Sequence, residues 1–498
     1  MPDPGVHSPT AYDSVPYPGY AYTQTHPDRI ATLARLSGVA TPAIETCSVL
    51  EIGCGDGANL IPMALGLPGA QFHGMDLASQ PIARAQDLAR ELAVTNVSFS
   101  SCNILDLPDR YGEFDYIIAH GFYSWVPVEA RDKLMAICQG SLSPKGVAFV
   151  SYNTMPGGHL RRMLREILLF HVENAPDPST KVRQAQAVLG FLGKLATGGD
   201  EYEVFLKTEL ERASKYDPGY FFHDDLAPIN DPCYLHEFVA HGARFGLRFL
   251  GDLNSSFVHA GNLDDQTRAA VDELRGNPVM LEQYLDFARC RRFRQTLLCR
   301  EEVDVAIEPD LSQVPTMLIS SSAAPVSDEP ELRSDKIEEF RGGRNAWMRT
   351  GHPILKSAMM ALHAAWPSRL TFEALRERVG ETLGASPAAV PVEPLVQGIF
   401  DAFSMRALDL HVWSPRIAAQ AGPKPRASRL ARGQTGRGTL ITNLLHGTAK
   451  VDQEPRRRIL SLLDGSRDWP ALAAEAEVSA EELSDHLTGL ARLGLLEE

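Results

Sequence analysis

A glycine-rich turn that follows an apolar run near residue 50 constrains the fold more than any other feature of the chain. Residues 49–57 read Val-Leu-Glu-Ile-Gly-Cys-Gly-Asp-Gly. Alternate glycines let the backbone turn tightly and approach a ligand closely, and a helix that starts there offers free N–H groups. The pattern therefore predicts a strand, a ligand-binding turn and a helix in succession, which is the first unit of a parallel α/β sheet.

Apolar runs continue along the next 250 residues and alternate with amphipathic helical patterns, which is typical of a doubly wound sheet. Strands are expected at Ser48–Ile52, Ala70–Met75, Val97–Ser100, Phe114–Ala119, Val147–Tyr152, before Phe249, and at Phe293–Cys299. The sequence therefore predicts an α/β, Rossmann-like fold with a seven-stranded sheet in a domain that spans residues 47–305.

Two segments are placed to cover a pocket of this sheet. Residues 156–232 form a helical insertion directly after the fifth strand, and ligands of open α/β sheets bind at the carboxyl ends of the strands. Residues 1–46 are rich in tyrosine and precede the first strand. Because tyrosine faces attract cations, we expect this segment to act as an aromatic strap or lid.

The last part of the chain is expected to form a separate module. Residues 306–345 are rich in Ser, Pro and Asp, which predicts a linker. Residues 346–498 show short helical patterns, and their end carries a capping-box pattern at Ser479 and Glu482 with a glycine stop at Gly494. We predict a mainly helical, winged-helix-like C-terminal domain.

The glycine turn fits two kinds of cofactor. Gly53, Gly55 and Ala58 satisfy the dinucleotide spacing GxGxxG/A. Glu51 before the turn and a third glycine at GxGxG spacing instead resemble the S-adenosylmethionine (SAM) fingerprint of class I methyltransferases, and this interpretation is favoured. The predicted cofactor-binding residues are Glu51, Gly53, Cys54, Gly55, Gly57, Asp76, Leu77, Asn103, Ile104 and His120.

Candidate residues for chemistry follow the fourth and fifth strands and the N-terminal segment. An amine must lose its proton before it accepts a methyl group, so groups that can take a proton are of interest. The catalytic candidates, among which the sequence does not choose, are Tyr17, His26, His120, Tyr123 and Tyr152. The candidate substrate-channel residues are Trp125, Asn153, His223 and Asp224, with core packing or helix capping as the alternative for several of them.

Several longer motifs resemble one bacterial family. They are YDSVPY at 12–17, HGFYSWVP at 120–127, SYNTMPG at 151–157, HDDLAPINDPCYLHEF at 223–238 and QYLDFARCRRFRQTLLC at 283–299. The chain resembles the methyltransferases that carry a methyltransferase regulatory domain, some of which are protein lysine methyltransferases of outer-membrane proteins. The resemblance assigns the regulatory region to the helical insertion at 156–232. The resemblance implies methyl transfer from SAM, with S-adenosylhomocysteine as product, and a protein acceptor that could be an envelope protein before export. The Asn/Asp-Pro-Pro-aromatic tetrapeptide of amino-group DNA methylases is absent after the fourth strand.

Composition limits the partners. The formal net charge of −15 and the acidic residues 481, 482 and 485 of the candidate recognition helix argue against DNA binding. No CxxC pair occurs among the seven cysteines, so no metal is expected. No membrane span or secretory signal is expected, which predicts a cytoplasmic protein, and the C-terminal domain could form a homodimer.

Two other functions remain open from the residues alone. The same pocket could methylate a small molecule or an envelope sugar, with a purely structural C-terminal domain. The chain could also be a non-catalytic, SAM-sensing adaptor whose C-terminal domain binds a partner.

Overall fold

A seven-stranded sheet organises the first 300 residues of a computed structural model, which describes residues 10–195, 198–213, 217–253, 269, 272–274, 276–343 and 347–498. The strands are β1 (Ser48–Ile52), β2 (Gln71–Asp76), β3 (Val97–Ser101), β4 (Phe114–Ala119), β5 (Leu142–Asn153), β6 (Leu247–Asp252) and β7 (Phe293–Arg300). Their order is β3-β2-β1-β4-β5-β7-β6, and β7 is antiparallel to both of its neighbours. The predicted α/β, Rossmann-like sheet is confirmed.

Helices cover both faces of this sheet and leave a crevice above β1. They are α1 (Ala11–Ser14), α2 (Pro27–Leu36), α3 (Leu60–Gly66), α4 (Ser79–Glu91) and α5 (Val128–Ser141). Helix α4 buries Ile82, Ala85 and Ala89 at helical spacing. Strand β1 lies between the parallel strands β2 and β4, so the strand order reverses there and the loops diverge. Such a switch point is where open sheets bind ligands.

The insertion after β5 is helical, as expected for residues 156–232. Its helices are α6 (Gly157–Val172), α7 (Pro178–Leu195) and α8 (Glu201–Ala213), followed by the short helical turns α9 (Pro218–Tyr220) and Phe221–Asp225. Leu168, Leu189 and Phe221 belong to a core that is separate from the sheet. The chain then returns to the sheet through α10 (Leu235–Ala243) and α11 (Pro278–Arg289).

The segment expected as a linker, 306–345, is folded. It supplies β8 (Leu318–Ser320), β9 (Ala324–Pro325) and β10 (Glu338–Arg341), which pair with β11 (Trp347–Thr350), β12 (Leu370–Thr371) and β13 (Asp409–His411). Met317, Ile319 and Phe340 are buried in one core with α12 (Pro353–Ala365), α13 (Phe372–Leu383) and α14 (Val392–Ser404). The Ser, Pro and Asp residues that suggested a linker lie mostly in the turns between these short strands.

A last core forms the winged helix near the C-terminus. Its elements are α15 (Arg429–Gln434), β14 (Leu440–Thr442), β15 (Thr448–Lys450), α16 (Glu454–Leu462), α17 (Trp469–Ala476) and α18 (Ala480–Arg492). The predicted capping box is present, because the Ser479 hydroxyl accepts from the backbone N–H of Glu482. The expected single domain over 346–498 thus contains parts of two cores. No helix in the described ranges combines the length and apolarity needed to cross a bilayer.

Candidate active site

A cavity of about 840 Å³ opens at the carboxyl ends of β1, β2 and β4. Its walls come from the glycine turn (residues 53–57), the N-terminal segment and the helical insertion. A cavity of this size suits a small-molecule cofactor together with part of an acceptor. The two segments expected to cover the sheet therefore do contribute to the walls.

The glycine turn presents backbone to the cavity. Gly53 and Gly55 line it with φ values of +77° and +55°, which side chains rarely adopt. No atom lies within 4 Å of the position that a Cβ of Gly55 would take, so this face is open for a ligand. Gly57 does not line the cavity, and a Cβ there would lie 2.7 Å from Cζ of Phe99. Gly57 therefore serves close packing against β3, which corrects its expected role in cofactor contact.

Glu51 supplies an acidic group at the end of β1. Its side chain is buried, and Nδ2 of Asn59 donates to Oε1 at 2.7 Å. Burial raises the pKa of Glu51 to about 8, and Oε2 has no hydrogen-bond partner among the described residues. A buried acidic oxygen without a partner beside a cavity fits the cationic amino group of SAM, whose positive charge would favour the ionised form of Glu51.

Asp76 is the last residue of β2, and Asn103 follows β3. Oδ2 of Asp76 accepts from the backbone N–H of Gly55 and Oδ1 from that of Ala78, each at 2.9 Å. These bonds hold the carboxylate at the cavity wall, where its remaining lone pairs suit ribose hydroxyls. Asn103 accepts from the N–H of Leu105 and also lines the cavity. The predicted cofactor residues that line the cavity are Glu51, Gly53, Cys54, Gly55, Asp76, Leu77, Asn103, Ile104 and His120.

His120 lies beside the glycine turn as a neutral imidazole, because burial lowers its pKa to about 4. Its Nδ1 is 2.9 Å from Oγ of Ser151, and that oxygen accepts from the N–H of Gly121 at 2.8 Å. The Ser151 oxygen thus ties the His120 ring to the backbone that follows β4. The ring of Tyr22 contacts His120 edge-on at a centroid distance of 4.2 Å.

Five tyrosines that line the cavity form an aromatic wall: Tyr12, Tyr17, Tyr20, Tyr22 and Tyr220. Tyr17 and Tyr220 meet edge to face at a centroid distance of 4.7 Å, and Tyr20 stacks on Tyr220 at 6.0 Å. Burial raises the pKa of Tyr17 and that of Tyr22, the latter to about 12, so both remain phenols at neutral pH. Tyr17 is therefore at the site as predicted, but as a neutral phenol rather than a proton acceptor.

Asp224 places a carboxylate within the aromatic wall. The Tyr17 hydroxyl donates to Oδ1 of Asp224 at 3.5 Å, and Nη2 of Arg161 lies 3.9 Å from Oδ2. Burial raises the pKa of Asp224 to about 6, so the group is mostly ionised at pH 7. The carboxylate and the tyrosine faces together suit a cationic acceptor group.

Two of the remaining channel candidates also line the cavity. Trp125 lines it, and the buried Nε1 of this residue has no hydrogen-bond partner in the described structure. Asn153 lines it and donates through Nδ2 to Asn230 at 2.8 Å. His223 lies behind the wall, where its ring stacks on Tyr12 at 4.0 Å. His223 also donates from Nε2 to the Val15 carbonyl at 2.8 Å, which ties the N-terminal segment to the insertion.

Tyr123 and Tyr152 do not reach the cavity, which corrects their expected catalytic role. Side chains alternate along a strand, so Asn153 of β5 lines the cavity and Ser151 contacts His120 on the same side, while Tyr152 faces the opposite side. Tyr152 is fully buried there, and its hydroxyl is 3.0 Å from Oγ1 of Thr296. Tyr123 packs in the same core, with its hydroxyl 2.8 Å from Nδ1 of His241.

His26 is also remote from the cavity. It is the N-cap of α2, and its Nδ1 accepts from the N–H of Asp28 at 3.1 Å. Its ring stacks on Trp413 at a centroid distance of 5.4 Å. Because His26 is buried between the N-terminal segment and the C-terminal half, we assign it to the interface rather than to catalysis.

Sequence reasoning missed several residues of the site. Asn59, Tyr220 and three arginines of the cavity wall were not singled out: Arg161, Arg212 and Arg292. Each arginine pairs with a carboxylate, since Arg161 contacts Asp225 while Arg212 and Arg292 share Glu209. The aromatic stretch 220–222 beside the predicted His223 could have pointed to Tyr220. Within the described residues, no group of three or more His, Cys, Asp or Glu side chains could hold a metal.

Three family models match successive parts of the chain. Residues 49–146 match the model described as "Methyltransferase domain", and residues 217–300 match "Predicted methyltransferase regulatory domain". Residues 423–490 match "PKMT, C-terminal winged helix domain". The regulatory model thus covers the end of the insertion and the last two strands, whereas the prediction attached it to residues 156–232.

Relatives and solved structures agree with these matches. An uncharacterized protein of Rickettsia prowazekii is 34% identical over 375 residues, which cover 74% of this chain and 67% of the relative. A second one is 37% identical over 230 residues, covering 46% of this chain and 92% of the relative. The structure of PKMT2 from Rickettsia typhi has a TM-score of 0.86, 27% identity, and coverage of 97% of this chain and 100% of that chain. The structure of PKMT2 in complex with AdoHcy matches with the same TM-score and coverage at 26% identity.

The matched domains and the cavity geometry agree on the cofactor. SAM fits three features of the cavity: the oxygen of Glu51 that has no partner, the open face of Gly55 and the carboxylate of Asp76. A similar chain is solved with AdoHcy, the demethylated form of that cofactor. The chain therefore belongs to the family of SAM-dependent methyltransferases that combine a methyltransferase domain, a methyltransferase regulatory domain and a PKMT-type C-terminal winged helix.

Proposed function

We propose that the methyl acceptor is the side-chain amine of a lysine in a protein. The observation that carries the proposal is the aromatic wall with Asp224 inside it, in the same cavity as the glycine turn. Cations bind tyrosine faces with about 0.5–2 kcal/mol each, and a partly desolvated carboxylate adds a specific ionic partner. A lysine side chain offers both the cation and an apolar stem suited to an aromatic channel.

The acceptor amine must become neutral before it can react. A free lysine has a pKa of about 10.4, and burial among aromatic rings lowers it. Asp224, with a pKa raised to about 6, is ionised at neutral pH and lies where it could attract the ammonium group and accept its proton. The tyrosines stay protonated and orient the amine, while neutral His120 lies on the cofactor side of the cavity.

The cofactor supplies an activated methyl group, and transfer is an in-line displacement. In our proposal, Glu51, Asp76 and Asn103 hold the cofactor, and the aromatic wall excludes water and aligns the amine. Support for a protein acceptor also comes from relatives. PKMT abbreviates protein lysine methyltransferase, and a chain of that name matches nearly the full length of this one.

The test is to incubate the purified protein with isotope-labelled SAM and cell lysate, and to locate the label by mass spectrometry of digested proteins. We expect label on lysine side chains. Label found only in small metabolites or sugars would reject the lysine proposal and favour the alternative acceptor. SAM binding without any homocysteine product, in every extract tested, would favour a non-catalytic adaptor.

The proposed acceptor sets the expected cellular context. The family resemblance implies an envelope or outer-membrane protein that is methylated before export, which would place the reaction in the cytoplasm. Comparing cytoplasmic and envelope fractions as acceptors tests this.

A homodimer through the C-terminal domain remains a prediction, and light scattering of the purified protein tests it.

A further inference from the structure

The hairpin of the winged helix reaches the cofactor side of the catalytic domain. Strands β14 and β15 are joined by a wing loop (residues 443–447), and His446 of this loop is buried with φ of +54°. Nε2 of His446 lies 2.9 Å from Oδ1 of Asn59, 387 residues away in sequence. The carbonyl of His446 accepts from Oγ1 of Thr23 at 2.9 Å. The wing loop thus contacts both the N-terminal segment, at Thr23, and Asn59, which lies two residues after the glycine turn.

The amide of Asn59 has a fixed orientation. Its Oδ1 also accepts from the backbone N–H of Tyr22 at 3.0 Å, so Nδ2 faces Glu51 and donates to Oε1 at 2.7 Å. Because Oδ1 is an acceptor, His446 must donate from Nε2. Burial keeps the pKa of His446 well below its usual range, so its ring is neutral and carries one proton for this bond.

The hydrogen bonds form a chain from His446 through Asn59 to Glu51, whose second carboxylate oxygen has no protein partner described. We propose that His446 is a positioning residue for the cofactor: the winged-helix domain orients Asn59, and Asn59 orients the Glu51 carboxylate toward the amino group of SAM. The inference depends on the SAM-dependent activity of the family and not on the identity of the acceptor.

Calorimetric titration of SAM into the full-length protein tests this proposal. His446→Ala should weaken SAM binding about tenfold, which corresponds to the loss of one net hydrogen bond. His446→Gln keeps an N–H donor and should recover most of the affinity. In assays of SAM turnover, the KM for SAM should rise in His446→Ala while kcat at saturating SAM stays unchanged. His486→Ala, in α18 of the same domain, is the matched control and should bind SAM as the wild type does.

A double-mutant cycle separates positioning from general loss of structure. In an Asn59→Ala background, His446→Ala should cause no further loss of SAM affinity, because the chain of bonds is already broken. Melting curves check that each variant is folded. If His446→Ala does not fold, His446→Asn replaces it, since asparagine tolerates positive φ but is too short to reach Asn59. Additive losses in the cycle, or wild-type SAM affinity in a folded variant without the donor, would overturn the proposal.

Discussion

At the residue scale, the carboxylate of Asp76 has two roles, one in the glycine turn and one in the cavity wall. It accepts hydrogen bonds from the backbone of Gly55 and Ala78, so it shapes the glycine turn while it lines the cavity. Burial raises the pKa of Asp76, against the effect of these backbone bonds. A residue with both roles tolerates little change, because its loss leaves two N–H groups without acceptors as well as removing a ligand contact.

Asp76→Ala is expected to weaken SAM binding at least tenfold, since hydrogen bonds to charged groups contribute about 1.5–3 kcal/mol. Gly55→Arg should abolish binding, because its side chain would project into the open face of the turn. Calorimetry measures both. Asp87→Ala, an exposed acid on α4 that pairs with Arg90, serves as the control. Unchanged affinity in both site variants would contradict the cofactor assignment.

The titration of Asp224 predicts how the activity depends on pH. Its carboxylate ionises as the pH rises through about 6, so an activity that needs the ionised form should fall as the pH drops below 6. In Asp224→Asn this inflection of kcat/KM should disappear, with SAM affinity retained. Asp231→Asn is a matched control, because Asp231 pairs with Arg131 and Arg162 outside the cavity lining. The same inflection in both variants would remove Asp224 from the mechanism.

At the element scale, β7 joins the regulatory region to the sheet through a buried arginine. Arg294 is fully buried and donates to Asp286 of α11 at 2.7 Å, to Asp252 of β6 at 3.1 Å and to Glu282 of α11 at 2.9 Å. Arg291 lies beside the same carboxylates. This network holds α11 against β7 and the edge strand β6.

Arg294→Met should destabilise the protein by about 3–5 kcal/mol, because it leaves buried carboxylates with one fewer cation. Urea denaturation followed by circular dichroism measures this change. Arg248→Met on β6 removes an exposed guanidinium that bonds one carbonyl, and should change stability by less than about 0.5 kcal/mol. Equal stability of the two variants would show that the network contributes little.

At the scale of the whole molecule, the N-terminal segment connects the sheet to the C-terminal half. The buried Asp28 accepts from Arg369 at 2.9 Å, from His411 at 2.8 Å and from the backbone of Val412 and Trp413. Residues 411–450 contain no acidic residue, and this basic stretch is partly paired within the chain, since Arg437 contacts Glu91 and Arg426 contacts Glu497. These contacts agree with intramolecular pairing as a role for its charges.

The buried histidines at this junction predict acid sensitivity. Burial lowers the pKa values of His26 and His411 to about 4, below the value near 6.5 expected in the unfolded chain. Between about pH 6.5 and 4 the unfolded chain binds more protons than the folded protein. The free energy of unfolding therefore decreases as the pH is lowered, by up to about 1.4 kcal/mol per pH unit for each histidine. Urea titrations at pH 7, 6 and 5 measure this slope.

His26→Asn keeps a side-chain acceptor at the N-terminus of α2 and removes one titrating group, so its slope should be smaller. His159→Asn changes an exposed histidine of α6 and should keep the wild-type slope. A wild-type slope in His26→Asn would show that the interface histidine does not control acid stability.

The sequence alone determined the strand order along the chain, the glycine turn and the positions of Glu51, Asp76 and Asn103. These features are local, because a strand, its turn and the next helix are neighbours in sequence. The spacing of their apolar residues therefore shows in the sequence. It could not decide which aromatic residues face the cavity. Tyr152 and Asn153 were both expected at its mouth, yet adjacent residues of a strand must point to opposite faces.

Only the tertiary structure brought the acceptor side of the site together. Tyr17 and Tyr220 meet across about 200 residues of chain, and His446 reaches Asn59 from the winged helix. The folded segment 306–345 was likewise hidden, because its buried residues belong to strands too short to show a period. Contacts between distant segments depend on how packed elements exclude water from shared cores, and that arrangement leaves no periodic signal in a single sequence.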